Sequence, residues 1–154
     1  MSYYEFLLFF HLAAAMLWVG GDFMIQMFYL RARAAGPEAV AEFTKAVEWI
    51  GLRIINPTAL LVVIFGVLLV IEVDGYEFSQ FWISAALGMF LASFVVGAGF
   101  LGPESGRIAN LLDERGPADA EVQRRVARIL WVSRIEFALL VLIVLDMVLK
   151  PGFG

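Results

Sequence analysis

The 154-residue chain contains no cysteine and a single histidine, His11. The first absence excludes disulfides, thiolate metal sites and cysteine nucleophiles. With one histidine, neither a zinc-ligand spacing nor a Ser-His-Asp arrangement can be assembled. Charge is scarce as well: Asp, Glu, Lys and Arg make up 17% of the residues, and they are segregated along the chain. No Lys or Arg precedes the first apolar run, and none occurs in the connection around "EVDGYE". The glycine clusters Gly20-Gly21 and Gly97-Ala98-Gly99 lie inside hydrophobic runs, which makes them packing features and not phosphate loops.

What the chain has in abundance is apolar side chain. It is 62% hydrophobic with a mean hydropathy of +0.85, beyond the composition of an ordinary soluble domain. Residues 54–71 and 78–101 carry no charge, and residues 6–27, "FLLFFHLAAAMLWVGGDFMIQM", carry only Asp22. A run of about 18 or more apolar residues crosses the roughly 30 Å hydrocarbon core as a helix. Residues 129–149 form a fourth such run, interrupted by Arg134, Glu136 and Asp146. The fold class expected is all-α: a four-transmembrane-helix bundle, one domain over residues 1–154, with spans near 5–30, 50–73, 78–102 and 128–149. The first run lacks a preceding basic residue and is longer than an h-region before its first charge, so it reads as a span and not a signal peptide.

The basic residues then orient the spans. Arg31, Arg33, Lys45 and Arg53 flank or fill the first connection, and Arg107, Arg115, Arg124, Arg125 and Arg128 fill the third. The positive-inside rule puts these two connections in the cytoplasm and both termini outside, in the inner (plasma) membrane. Beside a membrane and without interleaved aromatics, such loops favour anionic lipid over nucleic acid. Both connections read as amphipathic helical extensions. Gly36-Pro37 stops and restarts the first, where Val40, Phe43, Val47 and Ile50 recur at helical spacing. A kink is expected near Asn56-Pro57. The third span is expected to stop near Gly102-Pro103, followed by a helix with Ile108, Leu111 and Leu112 on one face and a break at Gly116-Pro117. Ser84, Gly88 and Ala92, four residues apart, suit close helix packing, either within the bundle or in a homo-oligomer.

Polar residues inside the spans are the candidate functional groups. His11, Trp18, Asp22 and Tyr29 are separated by seven, four and seven residues. At about 100° per residue they form a stripe roughly 40° wide. Such groups normally face the bundle interior and find a partner. Gln26, Asn56, Arg134, Glu136 and Asp146 complete the set. By depth, His11 and Asp146 lie toward the outside, while Asp22, Asn56, Arg53, Arg134 and Glu136 lie toward the cytoplasm. A His11–Asp146 contact and an Asp22/Glu136/Arg cluster are both allowed. The residues alone leave open whether the stripe holds a cofactor, relays an ion, or simply bonds within the bundle.

The stretches "YYEFLLFFHLAAAMLWVGG", "EWIGLRIINPTALLVVIFG", "GAGFLGPESGRI" and "SRIEFALLVLIVLDMVLKP" resemble a bacterial family of small four-helix integral membrane proteins of unknown function (DUF2269-type). More distantly, the chain resembles the HemJ-type protoporphyrinogen oxidases, four-helix membrane proteins that bind haem b. His11, Trp18 and Gly20-Gly21 match their first helix, Ile54-Ile55, Pro57 and Gly66 their second, and Arg134-Ile135, Glu136 and Lys150-Pro151 their last. The copper-resistance D-type membrane proteins share a similar first helix. The HemJ-type third helix also carries a lysine soon after a tryptophan. Here Trp82 is followed by Ile83, Ser84, Ala85 and Ala86. The resemblance therefore implies haem b on His11, as iron ligand, with Trp18 beside it, and not protoporphyrinogen oxidation. The alternative is a non-enzymatic membrane protein, either a small transporter or ion-relay subunit or the structural partner of a larger complex.

Overall fold

The computed structural model describes residues 1–152; residues 153 and 154, the end of the single domain read from the sequence, lie outside the described residues. Every regular element among the described residues is helical. Helix α1, Tyr3–Ala35, begins in a reciprocal cap: Ser2 Oγ accepts from the Glu5 amide while the Glu5 carboxylate accepts from the Ser2 amide. It ends at Gly36, whose φ of 116° suits a residue without Cβ. Pro37 then opens α2, Pro37–Ile50, at the one helical position where its missing N–H costs nothing.

Helix α2 does not end before the membrane. It passes through a π turn, Gly51–Ile55, straight into α3, Asn56–Glu72. The same device recurs in the second half of the chain. Helix α4, Phe81–Val96, passes through a π turn, Gly97–Leu101, into α5, Gly102–Arg115. Each wide turn sits directly before a proline, Pro57 or Pro103. The ring excludes the normal bond to the carbonyl four residues back, and the preceding amide reaches one residue further, from Asn56 to Gly51 and from Gly102 to Gly97. The kink near Asn56-Pro57 thus takes the form of a π turn. The stop expected at Gly102-Pro103 is not made: the helix runs on to Arg115, and the true break is Gly116, with φ of 77°. Helix α6, Ala120–Leu149, follows, capped by Asp119, whose carboxylate accepts from the Glu121 and Val122 amides.

Four rods result, and they pair. Helix α1 packs along α3, α4 packs along α6, and α1 also touches α6. Three rods, Tyr3–Ala35, Pro37–Glu72 and Phe81–Arg115, are long and apolar enough by length and composition to cross a membrane. Helix α6 is 30 residues long but carries Arg134, Glu136 and Asp146 in its apolar half. Of these, Arg134 is exposed and Glu136 turns toward α4. At about 1.5 Å per residue, rods of 33 to 36 residues are close to 50 Å long, well beyond a 30 Å core. The excess forms a separate layer in which α2, α5 and the ends of α1 and α6 enclose Tyr29, Val40, Ile108, Leu112, Val122 and Val126. The two amphipathic extensions are thereby joined in one core. Ser84, Gly88 and Ala92 are exposed on α4, facing away from the bundle, whereas Ser93 on the adjoining stripe is buried.

Candidate functional site

The polar stripe of α1 lies where the sequence puts it. Trp18, Asp22, Gln26 and Tyr29 are buried and His11 is half-buried, with Ala14 buried beside them. His11 and Trp18 face one cavity, and Trp18, Asp22 and Tyr29 face a second, toward the other end of the bundle.

The first cavity lies near the chain termini and encloses about 600 Å³, within the roughly 300–1,000 Å³ common to cofactor sites. Its walls are mostly apolar and come from both helix pairs, including Val63, Val67, Leu87 and Ile143. His11 enters from α1. Its Nδ1 is 2.9 Å from the Val62 carbonyl oxygen of α3, and among the described residues no other hydrogen bond holds the ring. An Nδ1–H that donates to Val62 leaves Nε2 with its lone pair. Gly66 makes room for the ring, since a Cβ there would stand 3.1 Å from His11 Cε1. At the rim, Lys150 donates to the Tyr76 hydroxyl at 2.6 Å and stands over the Tyr76 and Trp82 rings, at 5.0 and 5.2 Å. Met16 and Met147 also line this cavity. The possible His11–Asp146 contact is not made. His11 is committed to Val62, and Asp146 lies outside this cavity with Oδ2 buried and without a hydrogen-bond partner among the described residues.

The second cavity, about 130 Å³, runs toward the α2/α5 layer. Asp22 and Glu136 both line it, together with Asn56, Ser93 and Ser133. Ser93 Oγ donates to Glu136 Oε1 at 2.8 Å. Gln26 Nε2 donates to Ser133 Oγ at 2.6 Å, tying α1 to α6. Asp22 is 6% exposed, and its Oδ2 has no partner among the described residues. The two acids foreseen from depth thus line one cavity, but the arginine does not join them: among the described residues no basic side chain lines it. Arg134 is exposed, and Arg53 stacks 5.1 Å over the Trp49 ring. Ser93 and Ser133 are not among the polar candidates read from the sequence; a hydroxyl on an inward stripe was the available signal.

Trp18 lines both cavities and separates them, packed edge-on against Phe90 at 5.6 Å and against Ala59 and Leu140. Among the described residues, no group of three His, Asp or Glu side chains is arranged to hold a bare metal ion.

Comparison with known proteins gives one finding. A family model described as a predicted integral membrane protein (DUF2269) matches residues 5–151. No curated protein and no solved structure matches the chain. The likeness to HemJ-type oxidases and copper-resistance proteins gains no support from them. With a match over nearly the whole length, and rods of spanning length and composition, the chain belongs to the DUF2269 family of predicted integral membrane proteins.

Proposed function

We propose that this membrane protein binds haem b through His11. The observation that carries the reading is an imidazole fixed at Nδ1 by a backbone carbonyl, with Nε2 left over, inside an apolar cavity of about 600 Å³. A backbone acceptor on one ring nitrogen is the usual device that sets the tautomer and direction of a metal-binding histidine. The residues present fit the group in three further respects. Gly66 leaves the ring its space, the walls suit a flat apolar body, and Lys150 supplies a cation at the rim for an acidic substituent. Bound there, haem would supply one-electron redox chemistry. Val62 holds the ring, Trp18 with Phe90 closes the floor against the acidic cavity, and Tyr76 steadies Lys150.

The same reading includes an orientation. Nine of the basic residues, Arg31 to Arg128, belong to the α2/α5 end, and Lys150 belongs to the other. That asymmetry supports an inner-membrane protein with the α2/α5 layer in the cytoplasm and both termini outside.

The test is an absorption spectrum of detergent-purified protein from cells supplied with haem precursor, oxidised and then dithionite-reduced. A Soret band that shifts on reduction and disappears in His11→Ala, with the melting temperature little changed, is the expected result. A folded, colourless wild-type protein would remove the reading.

A further inference from the structure

We propose that the cavity between Asp22 and Glu136 is a binding site for one small monovalent cation, a hydron or a sodium ion, reached from the α2/α5 end. Asp22 and Glu136 share this space, with a third acid, Glu48, at its α2 end, and among the described residues no Lys, Arg or His lines it. Asp22 is more than nine-tenths buried, with Oδ2 aimed into protein and lacking a partner among the described residues. Glu136 receives one hydrogen bond, from the neutral Ser93 hydroxyl. Two uncompensated carboxylates buried in an apolar bundle are strongly disfavoured. A cation between them removes that cost.

The donor set also selects the kind of cation. Apart from the carboxylates, the polar side chains on the wall offer oxygen, from Ser93, Ser133, Thr44, Tyr29 and the Asn56 amide. Oxygen ligands with no thiolate or imidazole suit a hard ion. The volume of about 130 Å³ leaves space for a few waters beside it. Both π turns border the cavity, which exposes backbone at Gly51 and Gly97; a Cβ on Gly97 would stand 3.9 Å from Glu136 Oε1. Such turns recur where helices have been adapted to a site. Glu48 and Ser105 line the end toward α2 and α5, from which the cation would enter, while Trp18 stands at the opposite end. The titratable groups facing the cavity are Asp22 and Tyr29 from α1, Glu48 from α2 and Glu136 from α6; α3, α4, α5 and the π turns contribute none.

The full chain is melted in detergent across a sodium series at constant ionic strength, choline replacing sodium, and its infrared spectrum is recorded at pH 7. Sodium occupancy raises the melting temperature by about 3–5 °C per tenfold sodium above the dissociation constant. Hydron occupancy gives no sodium dependence and a protonated-carboxyl band at pH 7. Either signal disappears in Asp22→Asn or Glu136→Gln and persists in Asp146→Asn, which removes an acid outside this cavity. Should a variant fail to fold, the wild-type sodium series and band still decide. Folded wild-type protein with neither signal overturns the proposal, as does a signal that survives both cavity variants or vanishes in Asp146→Asn. Neither readout involves His11, so a colourless protein leaves the cation site standing.

Discussion

Gly66 faces His11 across the interface of α1 and α3, and this pair sets the direction of the imidazole. Gly66→Val would bring a Cβ to 3.1 Å from Cε1 and push the ring off the Val62 carbonyl. The expected cost is about 1–3 kcal/mol, as for overpacking elsewhere, read as a lower melting temperature together with loss of any Soret band. The stripe that carries His11 was legible because intramembrane polar residues are rare and their spacing fixes one face of a helix. Its partners were not. Depth alone allowed His11 to meet Asp146, but the rotation of α6 about its axis decides which side chain meets the cavity, and the apolar stretch from Phe137 to Leu145 conceals that rotation. Leu140, Ile143 and Met147 face inward instead.

At the scale of elements, α5 and α6 are joined by a run of ion pairs. Glu104, 3% exposed, accepts from Arg125 at 2.8 Å and lies 3.5 Å from Arg107. Arg125 also binds Glu121 at 3.1 Å, and Arg115 binds Glu121 at 2.9 Å. Arg125→Ala leaves the Glu104 carboxylate only the longer contact to Arg107 and is expected to lower the melting temperature by several degrees. Adding Glu104→Leu recovers most of that loss, because the pair is then removed together. The Arg125 hydrogen bond, with Arg115 adding, holds Glu121 below the usual glutamate range. A depressed carboxyl stabilises the fold above its unfolded value of 4.5, and that contribution is lost as pH falls through the folded value. Hydrogen exchange at the start of α6 should therefore quicken in acid before exchange in α3 does. The rods themselves were largely legible, from charge-free runs and Gly-Pro breaks. Gly102-Pro103 misled because Gly-Pro ends a helix in water, whereas a proline within a membrane helix can be absorbed by widening one turn.

For the whole molecule, the arrangement is two cavities in line with Trp18 between them. Trp18→Ala removes the indole that separates them, and a truncation of that size in a core costs about 3–5 kcal/mol. In proteoliposomes with a pH-sensitive dye, this variant should leak protons where wild type and Trp18→Phe do not, since an apolar constriction blocks water by dewetting. A variant as tight as wild type would show that the two cavities stay separate without the indole. The number of rods and the segregation of charge were readable from composition. The cavities were not, because each is lined by side chains from several helices far apart in the chain. The two π turns have a further consequence, for chain length. Each holds one residue more than an α-helix needs over the same rise, so deleting Ala98 should leave every side chain before and after on its face, with the Pro103 ring still excluding one normal bond. A deletion at Ala92, within regular helix, would instead turn one end of the rod by about 100° against the other. The rods that border the acidic cavity are thus the ones that can lose a residue and keep their faces, and the loss is tolerated only in the wide turn.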